Sequence, residues 1–285
     1  MTSEDRLAEY CGFLELQGSR VVRTSCTLWI EARRGCFQPA PPFHLDPGQP
    51  EEAREALRLG RGLLGRWFSA VAAPTPPAEA SGDCTLYLLR PPYDLYRIQS
   101  KARNQTRRGL ERLQVRRARF DEALAGEAAL VYADNVARLG LFRSQAQLRR
   151  RWEQWKRVLS ECPCVEFWGV WSAEHLVAFA VVAHSPWGAE IVCQRSLGRA
   201  LELYPNNALV HQLACDLFSR GVKLISYGLA RFGQGNASLD HFKRGMGFEE
   251  VHLREHYCFH PRLRLLDVFL RPRLLQRAAH LMGRS

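Results

Sequence analysis

The stretch that decides the fold is Gln194-Arg195-Ser196-Leu197-Gly198-Arg199-Ala200, Tyr204-Pro205-Asn206-Asn207-Ala208, the apolar-periodic run to Arg220, Val222 to Tyr227, and Phe242-Lys243-Arg244-Gly245-Met246-Gly247-Phe248. It reads strand, loop, helix, strand, loop, short helix and Gly-Phe, an order that sets two helix N-termini beside two strand ends. Free amides at a helix start make a ready place for a phosphate-bearing ligand. The longer helix buries Leu209, Val210, Leu213, Ala214 and Leu217 and stops at Gly221. Leu239, Phe242 and Met246 give the last short helix an apolar face, and Gly247 ends it.

Immediately upstream, Val165 to Trp171, Leu176 to His184 and Ala189 to Gln194 read as three strands joined by short turns. The middle one is apolar throughout, the pattern of a strand covered on both faces. Two helices precede them. Asp121 to Leu141 offers Leu130, Val131, Val136 and Leu139 to the core, and Ser144 to Ser160 offers Trp152, Trp155 and Leu159. A further helix, capped by Ser100 and running to Leu113, repeats Ile98, Ala102, Thr106 and Leu110 at a spacing of four. It carries Lys101, Arg103, Arg107, Arg108 and Arg112, and the basic run continues in Arg116, Arg117 and Arg119. Like charges at i and i+4 repel, so an anion is expected to neutralise part of this helix.

Nearer the N-terminus, Phe13 to Leu16, Val21-Val22 and Cys26 to Ile30 read as a strand meander, followed by a helix from Glu51 to about Val71 and a strand from Cys84 to Leu89. At the other end, Val251 to Phe259 returns as one or two edge strands, and Leu263 to Met282 is an amphipathic, arginine-flanked helix or tail. Element order repeats between the two parts of the chain: strands, helix, strand, helix.

The 285 residues are enough for one large or two ordinary domains, and 46% hydrophobic with 24% charged residues is the composition of a soluble globular protein. No apolar run reaches membrane-spanning length, so no stable membrane span is expected. The polar, acidic N-terminus points to the cytoplasm. Nine cysteines are scattered, and the one close pair, Cys162-Pro163-Cys164, has a single intervening residue rather than the two of common zinc sites; no metal is expected. The net charge of +11 fits nucleic acid, an anionic surface or a phosphate-bearing small ligand.

The second half resembles the N-acetyltransferase fold known as GNAT. More closely, Ser100-Lys101-x-Arg103-x-x-x-Arg107-Arg108, Tyr204-Pro205-Asn206-Asn207 and Phe242-Lys243-x-x-x-Gly247-Phe248 resemble the double-GNAT FemABX and CelD-like acyltransferases over about two thirds of the chain. The resemblance implies an α/β protein of two GNAT-like halves, each a mixed, mostly antiparallel sheet flanked by helices. The halves would be 1–120, degenerate and carrying the basic helix, and 121–262, carrying the active site, with 263–285 as a tail. It implies transfer of an acyl group to an amine: from acyl-coenzyme A in the CelD-like branch, or from aminoacyl-tRNA to a cell-wall precursor in FemABX. The acceptor is then a small-molecule or cell-wall-precursor-like amine, and tRNA is a possible partner. Carried over by position, Lys101, Arg103, Arg107 and Lys243 meet anionic groups of the substrates. A non-catalytic basic module that binds RNA or another polyanion is the reading from a different class.

Arg195-x-x-Gly198-x-Ala200 matches a GNAT pyrophosphate loop, yet Pro205 lies five residues past Ala200 and breaks a helix that should start at once. Either the loop is lengthened and the amides of Asn206, Asn207 and Ala208 hold the phosphates, or the match is a coincidence in an arginine-rich chain. The catalytic residues this reading points to are Glu190 as proton acceptor, Tyr204 as donor to the leaving thiolate, and Asp240 beside His241. Gly233 and Gln234, in the loop after the second strand, are placed for substrate contact.

Overall fold

The computed structural model describes residues 2–44, 49–70, 84–141, 144–231 and 237–260. The expected tail at 263–285 and the loop residues Gly233 and Gln234 lie outside them. In chain order the elements are α1 (Ser3–Leu16), β1 (Val21–Arg23), β2 (Leu28–Arg33), β3 (Cys36–Ala40), α2 (Gln49–Gly60), β4 (Leu64–Ala70) and β5 (Cys84–Leu89). There follow α3 (Ser100–Arg112), β6 (Gln114–Ala118), α4 (Glu122–Leu139), α5 (Gln145–Glu161), β7 (Val165–Ser172), β8 (His175–Ser185) and β9 (Gly188–Ser196). The last are α6 (Pro205–Ser219), β10 (Ile225–Arg231), α7 (Ala237–Gly245) and β11 (Glu249–Phe259).

The chain forms two compact units, one of residues 1–17, 88–227 and 236–249 and the other of 18–87, 228–235 and 250–285. In the first the strand order is β10-β9-β8-β7-β6, antiparallel except for the β9–β10 step. In the second it is β1-β2-β3-β4-β11, antiparallel except for the β3–β4 step. Both are mixed, mostly antiparallel sheets flanked by helices. In each, three successive antiparallel strands lead through a helix, α6 or α2, to a strand that returns parallel to the third, because a parallel neighbour requires a crossover.

This pairing corrects the sequence reading of residues 51–71. The helix stops at Gly60, and Leu64 to Ala70 is a strand, so β4, not β5, is the counterpart of β10. The break has a steric cause. A Cβ on Gly60 would stand 2.5 Å from the Phe37 ring and one on Gly62 2.6 Å from it, so the chain turns tightly over that ring with Arg61 at φ 48°. Phe13 to Leu16 is likewise helix, the end of α1, whose Tyr10, Phe13 and Leu14 are buried. A capping box of Thr2 and Asp5 starts that helix, a signal the apolar run at its end concealed.

In α3 the N-cap is Gln99 rather than Ser100, without a side-chain cap bond. In α4 the buried stripe is Leu124, Ala125, Ala128, Val131, Tyr132, Asn135 and Val136, while Leu130 is 71% and Leu139 45% exposed. β8 is covered on both faces along most of its length, as its apolar run foretold.

Candidate functional site

Strands β9 and β10 pair in register at Ala189–Ile225 and Glu190–Ser226, and among the described residues their ladder goes no further. The cause lies in β9. Its partner β8 places Val181 opposite Cys193 and Val182 opposite Ile191, so Val192 is an extra residue, and a bulge of this kind bends a strand away from its neighbour. Past the bulge, a row of polar side chains stands at the parted ends. The Tyr227 hydroxyl donates to Gln194 Oε1 at 2.5 Å, Gln194 Nε2 donates to Asn206 Oδ1 at 2.9 Å, and Asn206 Nδ2 donates to Ser196 Oγ at 3.2 Å. Burial pushes the Tyr227 hydroxyl up, so it stays a donor at physiological pH.

Lys243 on α7 faces the same tyrosine. It is 3% exposed, with Nζ 5.1 Å from the Tyr227 ring centroid. Burial lowers its pKa, and Asp240 three residues earlier on the helix works against that shift. The end of α7 is fixed by Gly247 at φ 87°, with Gly247 N–H donating to Arg244 O and Phe248 N–H to Lys243 O. This turn brings Phe248, 4% exposed, edge-on to Tyr227 at 5.4 Å.

The start of α6 completes the site. Tyr204, at φ 59° and ψ 42°, holds a left-handed conformation uncommon for a residue with a side chain, and Pro205 is the first helical residue. Proline therefore does not break the helix but opens it; the intervening residues Gly198–Leu203 form a 3-10 turn. The lengthened loop was one of the two readings of this segment. Gly198 is already engaged: its N–H donates to Asp134 Oδ2 on α4 at 2.8 Å. Asn207, 8% exposed, donates from Nδ2 to the Met246 sulfur at 3.4 Å, and Ala208 N–H bonds Tyr204 O at 3.2 Å.

Helix α3 packs on this start. A Cβ on Gly109 would stand 2.9 Å from Tyr204 O and 3.1 Å from Ala208 Cβ, so only glycine permits the approach. Gln99 N–H donates to Gly245 O, and Thr106 Oγ1 reaches Met246. The three motifs of the basic helix, Tyr-Pro-Asn-Asn and Phe-Lys thus meet in one cluster. Of the basic side chains, Lys101 and Arg107 are exposed, and Arg103 is half-buried with its guanidinium 5.8 Å from the Tyr96 ring centroid.

Glu190 stands apart from that row, under α1. Burial pushes its carboxyl up to about 7, the Tyr10 hydroxyl bond acting in the opposite sense. Arg195 points to α4: its Nη1 donates to Gln194 O at 2.7 Å and its guanidinium lies 5.5 Å from the Tyr132 ring centroid. The sequence reading passed over Gln194, Tyr227 and Tyr10 as participants. The available signal was positional, a polar residue closing each of the two strands that flank the crossover helix.

No family model matches the chain, and no curated protein matches it. Solved structures do. The fold is similar to that of FemX, with 10% identity, 94% of this chain and 98% of that chain covered and a TM-score of 0.61. It is similar to the C-terminal DUF2156 domain of an Agrobacterium fabrum protein, with 13% identity, 88% and 89% covered and a TM-score of 0.57. L-PGS from Bacillus licheniformis matches at 15% identity, with 98% and 97% covered and a TM-score of 0.54. The chain has a double-GNAT-like fold, shared with these structures over most of its length.

Proposed function

We propose that the chain transfers an acyl group from acyl-coenzyme A to an amine at the parted ends of β9 and β10. The observation that carries this is the parting itself. It leaves β9 backbone groups beyond Glu190 without a β10 partner among the described residues, beside a helix start and a buried lysine. Amides released from a ladder suit the oxyanion of a thioester carbonyl under attack. The first-turn amides of α6 at Asn206 and Asn207 suit the donor's phosphates, aided by Lys243, while Ala208 N–H is held by Tyr204 O and fixes the turn.

In the step itself, the neutral amine forms a C–N bond to the thioester carbon. The tetrahedral oxyanion collapses, the C–S bond breaks, and the thiolate takes a proton. Glu190, with its carboxyl near 7, receives the proton lost by the amine through water. The thiolate takes its proton from the Tyr204 hydroxyl, which solvent reprotonates, and Asp240 tunes Lys243.

Incubation with acetyl- and longer acyl-coenzyme A should raise the melting temperature, and Lys243→Ala should reduce that shift. Absence of any shift, together with tight binding of charged tRNA, would transfer the reading to an aminoacyl-tRNA-dependent transferase. That second reading is favoured by the exposed run of Lys101, Arg107, Arg108, Arg112, Arg116, Arg117 and Arg119. Under it, tRNA affinity falls steeply with salt and Arg107→Ala lowers the slope by about one.

A further inference from the structure

Two guanidinium groups on the α4–α5 side of β9 stand without a counter-charge. Arg195 lies over Tyr132 at 5.5 Å and Arg151 of α5 over Trp155 at 5.4 Å, on a floor where Tyr132 is 2% and Trp155 5% exposed. The groups share one neighbourhood, since the Tyr132 ring of α4 packs at 5.4 Å on Trp152, one turn from Trp155 on the buried face of α5. Their bonds go to neutral oxygens: Arg195 Nη1 to Gln194 O, and Arg151 Nη1 to Gln154 Oε1. Arg195 Nε is buried and has no acceptor. Neither arginine has a carboxylate partner among the described residues. Two like charges brought together, half-buried and unbalanced, cost free energy that an oxyanion would recover.

The place of this pair connects it with the transfer site. Arg195 follows Gln194 directly, and adjacent strand residues point to opposite faces. Gln194 faces Tyr227 and the start of α6, whereas Arg195 faces α4. Arg195 and Gln194 therefore flank the place where β9 and β10 part, one on each face of the sheet.

Resting on the acyl-transfer reading above, we infer that Arg151 and Arg195 bind an anionic group, a carboxylate or a phosphate, on the acceptor. The acceptor is therefore an amine that carries an oxyanion within reach of its nitrogen, and it enters from the α4–α5 face while the donor lies at the start of α6. Charge-assisted forks of this type give geometry as well as attraction, which is what an amine needs to reach the carbonyl in line.

The test uses matched amines: ethanolamine against O-phosphoethanolamine, and glycinamide against glycine. Thiol release from acetyl-coenzyme A is read with wild type, Arg151→Gln, Arg195→Gln, the two lysine variants, and the exposed-surface control Arg149→Gln. Wild type should prefer the anionic member of at least one pair, which also separates phosphate from carboxylate. In the glutamine variants KM for that amine should rise about 10- to 100-fold with kcat less affected, lysine should restore part of it, and Arg149→Gln should change nothing. Acetyl-coenzyme A affinity, measured alongside by calorimetry, should stay within about twofold, which shows that the variants are folded. Equal use of charged and neutral amines, or variants that lower kcat and leave the preference intact, overturns the inference. If no amine releases thiol, the acyl-transfer reading fails instead, and calorimetry with O-phosphoethanolamine and glycine decides the anion pair separately. Binding lost in both glutamine variants supports it, and its absence in wild type overturns it.

Discussion

At the scale of single residues, three buried ionisable groups give three different dependences on pH. Lys243 has its pKa lowered by burial, so the folded state is penalised wherever the amine is charged. Lys243→Met should therefore leave thermal stability unchanged or raised, while acyl transfer at low donor concentration falls about 10-fold, the loss of one charge-assisted contact to the donor's phosphates. Melting curves beside thiol-release rates check this, and a variant that keeps its rate would remove the lysine from the site. Glu190 is raised from 4.5 to about 7, so between those values the unfolded chain gives up a proton that the folded one keeps. Stability contributed at this group falls as pH rises through that window, whereas transfer rate rises toward pH 7 and above. Glu190→Gln should flatten both profiles.

Glu166 has the opposite sign. Burial opposes its ionisation, but bonds from His184 and Arg220 and their charges outweigh burial and hold it well below the usual carboxylate range. The carboxylate accepts from Arg220 at 2.7 and 2.9 Å, from Arg117 at 3.0 Å and from the Trp168 indole at 3.1 Å. Its contribution is present above about pH 4.5 and is lost as acid protonates it. Glu166→Gln leaves the solvent-accessible Arg220 and Arg117 facing a neutral amide and should cost about 1 kcal/mol at pH 7, with little difference from wild type in strong acid. Urea titrations at two pH values measure the difference.

At the scale of elements, glycines decide which helices meet. Gly109→Val should push α3 off the start of α6, with an overpacking cost of about 1–3 kcal/mol, and should weaken donor binding more than an exposed α3 change such as Arg108→Ala. Calorimetry on the two variants makes the comparison. Much of this layer was legible beforehand. The strands from Val165, the helices α4 to α6 and the Gly247 stop follow from period, caps and turns that act within a few residues. What was not legible depended on distant partners. Nothing near Gly60 announces the Phe37 ring that ends α2, and a run such as Phe13 to Leu16 is apolar alike in a strand or in the last turn of a helix. The same distinction governs the site. The Phe-Lys and Tyr-Pro-Asn-Asn motifs carried local signals, whereas Gln194 and Tyr227 matter because a bulge elsewhere on β9 parts two strands.

At the scale of the whole molecule, neither compact unit is a continuous segment. The first takes residues 1–17 from the beginning of the chain and 236–249 from near its end, around material that belongs to the second. Either unit made alone by truncation therefore loses part of its own core, and paired halves cut at residue 120 should recover a native circular dichroism spectrum only when mixed. Helix α1 shows what this means. Its buried face rests on β8 and α5, with Leu16 O accepting from Gln154 and Tyr10 bonded to Glu190. Tyr10 and Glu190 are 190 − 10 = 180 positions apart. A ribosome adding about 5–20 residues per second needs on the order of 10 s or more to make that interval. For that time Tyr10, Phe13 and Leu14 are outside the tunnel with no sheet to cover them, so the nascent chain, more than the finished one, is where a chaperone would be needed.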